Sequence, residues 1–412
     1  GLFSMLDKTL AIILAGGVGS RLKPLTNDRA KPAVPFGGKY RIIDFTLANC
    51  LHSDLRRVLV LTQYKSHSLQ KHLRDGWSIF NPELGEYITP VPPQMRMDDE
   101  WYSGTANAIY QNLYMVERSE VDWVVVLSGD HIYRMDYAEL VKSHVERQAD
   151  ATIACMEVPL EEAHAFGIME MDSHSRIVNF AEKPEHPRPL PHDSEKALAS
   201  MGIYVFNRQL LLDALRRDHE DAESSHDFGH DILPSLIISN KVCAYRFGCE
   251  TGRVSPDHYW RDVGTIDSYY EANMSLLEPV PPLDLYQRDW MIRTYQGQTP
   301  PARTVPGESG TEGVFVNSII AGGTIIAGGG VNRSILFSGV QIHDEAIVED
   351  AILFNDVTVG EGARVRRCII DKGVHVPAGE TIGIDRKRDR DRFHVSENGV
   401  VVIPKHYRFP GH

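Results

Sequence analysis

Residues Ala11 to Thr26 read AIILAGGVGSRLKPLT: a short apolar run closes on Gly16, Gly17 and Gly19, and Arg21 and Lys23 follow at once. The apolar run reads as a buried strand, and the glycines after it as a turn whose bare backbone N–H groups can approach an anion. Neither common phosphate-loop spelling fits. A P-loop needs G-x-x-x-x-G-K-[ST], but Leu22 stands five residues after Gly17; a dinucleotide turn needs G-x-G-x-x-G, and the same Leu22 occupies its third glycine position. By itself the stretch is either a tight β-to-α turn with a solvated arginine or a turn that holds an anion.

Working outward, RRVLVLTQY (56 to 64), DWVVVLSGD (122 to 130), ATIACMEV (151 to 158) and ASMGIYVFN (199 to 207) are further short, β-branched runs that read as buried strands. SHSLQKHLRDG (66 to 76) and TANAIYQNLYMVERSE (105 to 120) between them carry helical spacing. Strands alternating with helices predict an α/β layer, a Rossmann-like domain with a mostly parallel sheet, whose ligands bind beyond the strand ends. The pattern stops near Asn273, and EPVPPLDL and GQTPPARTVPGESG read as a Pro-rich linker. After it, SIL at 334, AIL at 351 and CII at 368 recur every 17 residues, as do VQI at 340, VTV at 357 and VHV at 374, and AIV at 346 with ARV at 363. Three short strands per coil predict a parallel β-helix with hexapeptide-like rungs. The expected division is 1–275, a linker over 276–312, and the β-helix over 313–412, a part suited to subunit contacts or regulation.

The chain of 412 residues is 42% hydrophobic and 24% charged, the balance of a globular protein with more than one core. Its net charge of −13 argues against a nucleic-acid-coating surface, so an anionic substrate must be gripped by locally placed Arg and Lys. Five scattered cysteines without a C-x-x-C pair suggest neither a zinc site nor a disulfide framework, and fit a reducing cytoplasm. The start, GLFSMLDKTLAIILAGG, has too short an apolar run for a membrane span and no signal-peptide pattern, so neither secretion nor a membrane is expected.

Carboxylates supply the next stations. In VVVLSGDHIYRMDY, Asp130 ends an apolar strand, where it can hold a hard cation over a phosphate or serve as a turn aspartate. NFAEKP contributes Glu182 and Lys183, which unaided read as a solvated surface pair.

GGVGSRLKPLT followed by RAKPAVPFGGKYRIIDF resembles the signature of sugar-1-phosphate nucleotidyltransferases, the pyrophosphorylases. FGGKYRIIDF, SGDHIY, SSHDFG and YWRDVGT resemble one branch closely, the bacterial glucose-1-phosphate adenylyltransferases (ADP-glucose pyrophosphorylases), over nearly the whole chain. The resemblance implies a C-terminal left-handed β-helix and transfer from ATP to glucose 1-phosphate, the first committed step of bacterial glycogen synthesis. It also implies Mg²⁺ on Asp130 and Asp262. Leu14, Ala15, Gly16, Gly17 and Gly19 would wrap the triphosphate, with Arg21 and Lys31 on the departing phosphates. Gly104 and Thr105 would approach the nucleotide, and Gln94 or its neighbour would read the base.

On the sugar side the resemblance implies Lys183 on the phosphate, Glu182 on a ring hydroxyl, and Tyr102, Gly167, Ser200, Asp227, Phe228 and Trp260 around them. Arg21, Lys31, Asp130 and Lys183 would then carry catalysis. Arg29, Arg41, Arg118 and Lys372 match positions that bind allosteric metabolites, a sugar phosphate or pyruvate as activator and AMP or phosphate as inhibitor. The implied assembly is a homotetramer. Asn107, Asp28 and Pro35 depart from common spellings of the family, the last two beside the effector positions. A pyrophosphorylase for a UDP-, dTDP- or GDP-sugar is the alternative with the same chemistry, and a catalytically inactive regulatory subunit the alternative without it.

Overall fold

Among the residues described by the computed structural model, 2–17, 19–62, 67–92, 104–248, 254 and 258–412, nine strands form the main sheet. They are β1 (Thr9–Ala15), β2 (Arg57–Thr62), β3 (Tyr87–Val91), β4 (Trp123–Ser128), β5 (Ala151–Pro159), β6 (Gly167–Met171), β7 (Ile177–Glu182), β8 (Lys196–Asn207) and β9 (Val242–Arg246). The order β7-β6-β8-β4-β1-β2-β3 places the opening strand between parallel neighbours, Ala11 beside Val58 and Val125. Strand β8 runs antiparallel to β4, β5 and β6, and β9 lies parallel to β5 beyond it. The sheet is buried on both faces, which is why its strands read as unbroken apolar runs. Ala11, Ile13 and Ala15 enter one core while Leu10 and Ile12 enter the other, the alternation a strand imposes.

Helices α1 (Ile43–His52) and α2 (His67–Gly76) cover the parallel half. The single helix predicted over 105–120 is instead two, α3 (Thr105–Tyr110) and α4 (Leu113–Arg118). Buried Asn112 lies at the break and donates its amide to the Ala108 carbonyl at 2.9 Å. This is the competition between a short polar side chain and its own backbone that weakens helix interiors.

The C-terminal part is a left-handed parallel β-helix. Its coils pair at the predicted step of 17, Ile347 beside Arg364 beside Thr381 and Gln341 beside Thr358 beside His375. The earlier coils step by 16, Phe315 beside Val331 and Ile319 beside Ile335, a shorter stride hidden in the sequence by the glycine-rich turns. Pairing starts inside the stretch read as linker, because Arg303–Val305 lies alongside Ile325–Ala327. The rest of that stretch is no loose tether. Trp290 is fully buried and donates its indole N–H to Asn49 at 3.0 Å, and Arg293 donates to the Gly76 carbonyl at 2.9 Å.

One apolar core runs across both parts. Phe36, Phe45 and Tyr269 share it with Ile335, Phe337, Ile352, Phe354 and Ile369 of the β-helix. The polar clamp beside it is a two-pronged ion pair, Arg29 Nη1 and Nη2 each 2.8 Å from an Asp371 oxygen.

Candidate active site

The glycine turn leaves the end of β1 and folds back onto residues 26 to 31. Gly19 sits at φ +60°, in the left-handed region, and a Cβ there would come within 3.1 Å of both Lys31 and Thr26, so only glycine suits the position. Thr26 fixes the turn by donating to the Gly19 carbonyl at 2.7 Å. A short 3-10 turn, Ser20–Leu22, then carries Arg21 toward Gly264 and Asp262. These groups form one wall of a cleft of about 410 Å³ that also takes in Lys31, Asp130, Gly167, Glu182, Lys183, Ser200, Trp260 and Asp262.

At the floor, β4 delivers Asp130 and a two-residue strand pair, Trp260–Arg261 against Ile132–Tyr133, brings Asp262 to it from 132 residues later. The Lys31 ammonium lies between the carboxylates, 2.8 Å from Asp262 Oδ1 and 3.4 Å from Asp130 Oδ2. Burial works against the charge on Lys31, but Asp130 and Asp262 outweigh it and its pKa is raised. Burial likewise works to raise the Asp130 carboxyl; the charges of His131 and Lys31 and hydrogen bonds from His131 and Ser128 prevail, holding it far below the ordinary carboxylate range. Asp130 is therefore an anion at any physiological pH.

The opposite wall comes from the antiparallel half of the sheet. Glu182, the last residue of β7, faces Gly167 of β6 in register. Burial, reinforced by the charge of Asp227, raises the Glu182 pKa. Lys183 follows with a positive φ of 46° and its N–H bound to the Phe166 carbonyl at 3.0 Å, which throws its exposed side chain over the cleft. A non-glycine residue held there is strained, as functional residues often are. Strand β8 shifts register between Ser200 and Tyr204, and this bulge turns Ser200, Met201 and Gly202 toward the same space.

Not every expected residue lines the cleft. Leu14 and Ala15 stay in β1 behind the turn. Gly104 and Thr105 open α3 beside Asp227, outside the lining. Phe228 is buried against Tyr204 and Phe206, so its ring belongs to the core. Gln94 and Tyr102 lie outside the described residues.

His131 was not among the expected residues. Its Nδ1 is 3.0 Å from Asp130, its Nε2 3.7 Å from Asp262, and its ring stacks on Trp260 at 4.6 Å. Ser128 also binds Asp130. For Ser128 the signal was its place in SGDHIY, two residues before the aspartate it binds. The Trp260 indole N–H, buried at the cleft wall, has no partner among the described residues.

A second cleft, of about 860 Å³, opens between the main sheet domain and the β-helix and contains Arg41, Lys39 and Lys372. Arg29 is beside it but committed to Asp371, and Arg118 stands exposed at the end of α4, away from it.

Residues 10–279 match the nucleotidyl transferase family and residues 300–403 the GlmU-like C-terminal hexapeptide family. Glucose-1-phosphate adenylyltransferase 2 of Vibrio cholerae is 61% identical over 404 residues, 98% of this chain and 99% of the relative. The chain belongs to the glucose-1-phosphate adenylyltransferase family. Other members of this adenylyltransferase family span it as fully: that of Vibrio vulnificus (strain CMCP6) is 62% identical over 97% of this chain and 99% of its own length, and that of Methylobacillus flagellatus 48% over 97% and 94%. Among the described residues, no helix is long and apolar enough to cross a membrane.

Proposed function

We propose that this adenylyltransferase joins ATP to glucose 1-phosphate, giving ADP-glucose and pyrophosphate. The observation that carries the reading is the convergence, in one cleft, of a cationic wall (Arg21, Lys31), a carboxylate floor (Asp130, Asp262) and a sugar-phosphate wall (Glu182, Lys183). An oxygen of the sugar phosphate attacks the α-phosphorus of ATP; a P–O bond forms there as the bond to the β-phosphate oxygen breaks. The nucleophile is already an anion, so no base has to remove a proton, and catalysis rests on positioning and charge neutralisation.

Lys183 holds the attacking phosphate, and Arg21 and Lys31 draw charge toward the leaving pyrophosphate. Glu182 and the Trp260 N–H, without a partner among the described residues, supply an acceptor and a donor for sugar hydroxyls. Asp130 and Asp262 fit Mg²⁺: both carboxylates gather about a single ammonium, at 3.4 and 2.8 Å, and two hard carboxylates completed by phosphate oxygens and water suit that ion. When bound, it would neutralise phosphate charge. Arg41 and Lys372 are the residues we assign to an anionic effector in the second cleft, with a cytoplasmic homotetramer as the working assembly.

The test is product analysis with purified chain, ATP, glucose 1-phosphate and Mg²⁺. ADP-glucose and stoichiometric pyrophosphate are expected. A preference for UTP, dTTP or GTP would reassign the base, and no product with any triphosphate would leave a regulatory subunit.

A further inference from the structure

Thr105 stands in the stretch whose resemblance assigns it to the nucleotide, yet its hydroxyl is engaged on the sugar side. Its Oγ1 donates to Asp227 Oδ1 at 2.9 Å and accepts the Phe228 N–H at 3.1 Å. The next residue, Ala106, donates its backbone N–H to the His226 carbonyl at 2.9 Å. The first turn of α3 is thus stitched to residues 226–228 by three hydrogen bonds.

What those residues hold is the next link. The other Asp227 oxygen accepts the His230 N–H at 3.1 Å and opens a short π-turn, Phe228–Ile232, a local widening of the helix often found at functional sites. The Phe228 ring, sunk among Tyr204 and Phe206, keeps the turn from rotating. Gly229 then lies directly against Glu182: a Cβ on it would sit 1.7 Å from Glu182 Oε2. A side chain there would push the Glu182 carboxylate aside, so in this structure the carboxylate rests directly on the backbone of the turn. Thr105 fixes Asp227, Asp227 fixes the turn, and the turn fixes Glu182.

We propose that Thr105 is a positioning residue of the sugar-phosphate pocket, acting through Asp227 and Gly229 on Glu182, and not a nucleotide ligand. The inference rests on the activity proposed above and says which substrate Thr105 serves.

Steady-state kinetics on Thr105→Val, nearly isosteric but without the hydroxyl, tests it. KM for glucose 1-phosphate should rise about tenfold, as loss of a hydrogen bond to a charged group implies, while KM for ATP stays within about twofold. Thr105→Ser should restore the wild-type value, and calorimetric titration of glucose 1-phosphate should weaken in parallel with KM. A rise in KM for ATP with the sugar-phosphate value unchanged would make Thr105 a nucleotide ligand and overturn the proposal; so would no change in either. Gly229→Ala probes the same carboxylate without touching α3, and should raise KM for glucose 1-phosphate alone. An unchanged value in that variant also overturns the proposal. Failure of the underlying activity is distinguishable, because it would show in the unsubstituted chain as no ADP-glucose at all.

Discussion

The Lys31 ammonium is bonded to Asp262 Oδ1 at 2.8 Å and also reaches its backbone carbonyl, at 3.4 Å. With Asp130 Oδ2 3.4 Å away, this single cation keeps two carboxylates together at the cleft floor. Lys31→Met should therefore lower turnover by about 10²-fold or more, since a charge aimed at the leaving group disappears, while also loosening the carboxylate pair. Rate measurement together with thermal unfolding checks both effects; a variant with normal turnover would take Lys31 out of the reaction.

Asp130→Asn preserves shape and removes the charge. Turnover should fall about 10³-fold with the fold intact by circular dichroism. Because the native carboxyl is held far below its ordinary range, Asp130 should contribute no acidic limb to the pH–rate profile above about pH 4. A limb there that vanishes in the Asn variant would contradict this.

Lys183→Gln should raise KM for glucose 1-phosphate with a smaller effect on kcat, the pattern expected when a ground-state contact is lost. Equal KM values in the two proteins would remove Lys183 from the phosphate.

Arg29 and Asp371 are almost fully enclosed and bonded through both prongs. Removing one partner strands the other charge without water, so Asp371→Ala should cost about 3–5 kcal/mol. Denaturant unfolding measures this. A loss below about 1 kcal/mol, typical of an exposed pair, would show that the Arg29 charge is satisfied elsewhere.

Lys372 gives a pH prediction. Burial lowers its pKa to about 7, helped by Arg41, Arg29 and Lys405 and opposed by Asp371. Between about pH 7 and the ordinary lysine value the unfolded chain carries the extra proton, so this residue makes stability rise with pH across that window. Lys372→Met should accordingly be more stable than wild type at about pH 6, with the advantage gone by about pH 10.5. An anionic effector in the second cleft should bind with uptake of a proton near about pH 8, measurable by calorimetry in buffers of different ionisation enthalpy.

What could be read from the sequence was local or periodic. The strand and glycine turn around Gly16 to Gly19 and the stride from Ile347 to Arg364 to Thr381 are written in residue spacing, because backbone geometry forces them. Asp130 was legible as a strand-end carboxylate, but its role and its pairing with Asp262 were reached by resemblance, since nothing within either segment says that a two-residue strand at Trp260–Arg261 will bring them together. Asn112 hid the break between α3 and α4 inside good helical spacing. The resemblance places Phe228 on the sugar side, and the structure adds that its ring is buried against Tyr204 and Phe206, which depends on which way a turn faces. His131 was missed although it adjoins Asp130: its ring was silent until Trp260, remote in sequence, supplied the surface it stacks on.

The coil-on-coil pairing of the β-helix has a consequence for how such a chain can change length. Ile347, Arg364 and Thr381 lie side by side at steps of 17 while Phe315 and Val331 pair at a step of 16, so a one-residue difference in length is taken up between rungs and the coils beyond it keep their pairing. Excising one complete coil would leave inward residues inward and shorten the stack by about 4.8 Å, the spacing between neighbouring strands. Losing a single residue within a rung would turn the side chains after it in that rung to the opposite face, as far as the next turn. The turns of this half of the molecule can therefore take up single-residue changes in length, whereas its rungs admit only substitution or the gain or loss of a whole coil.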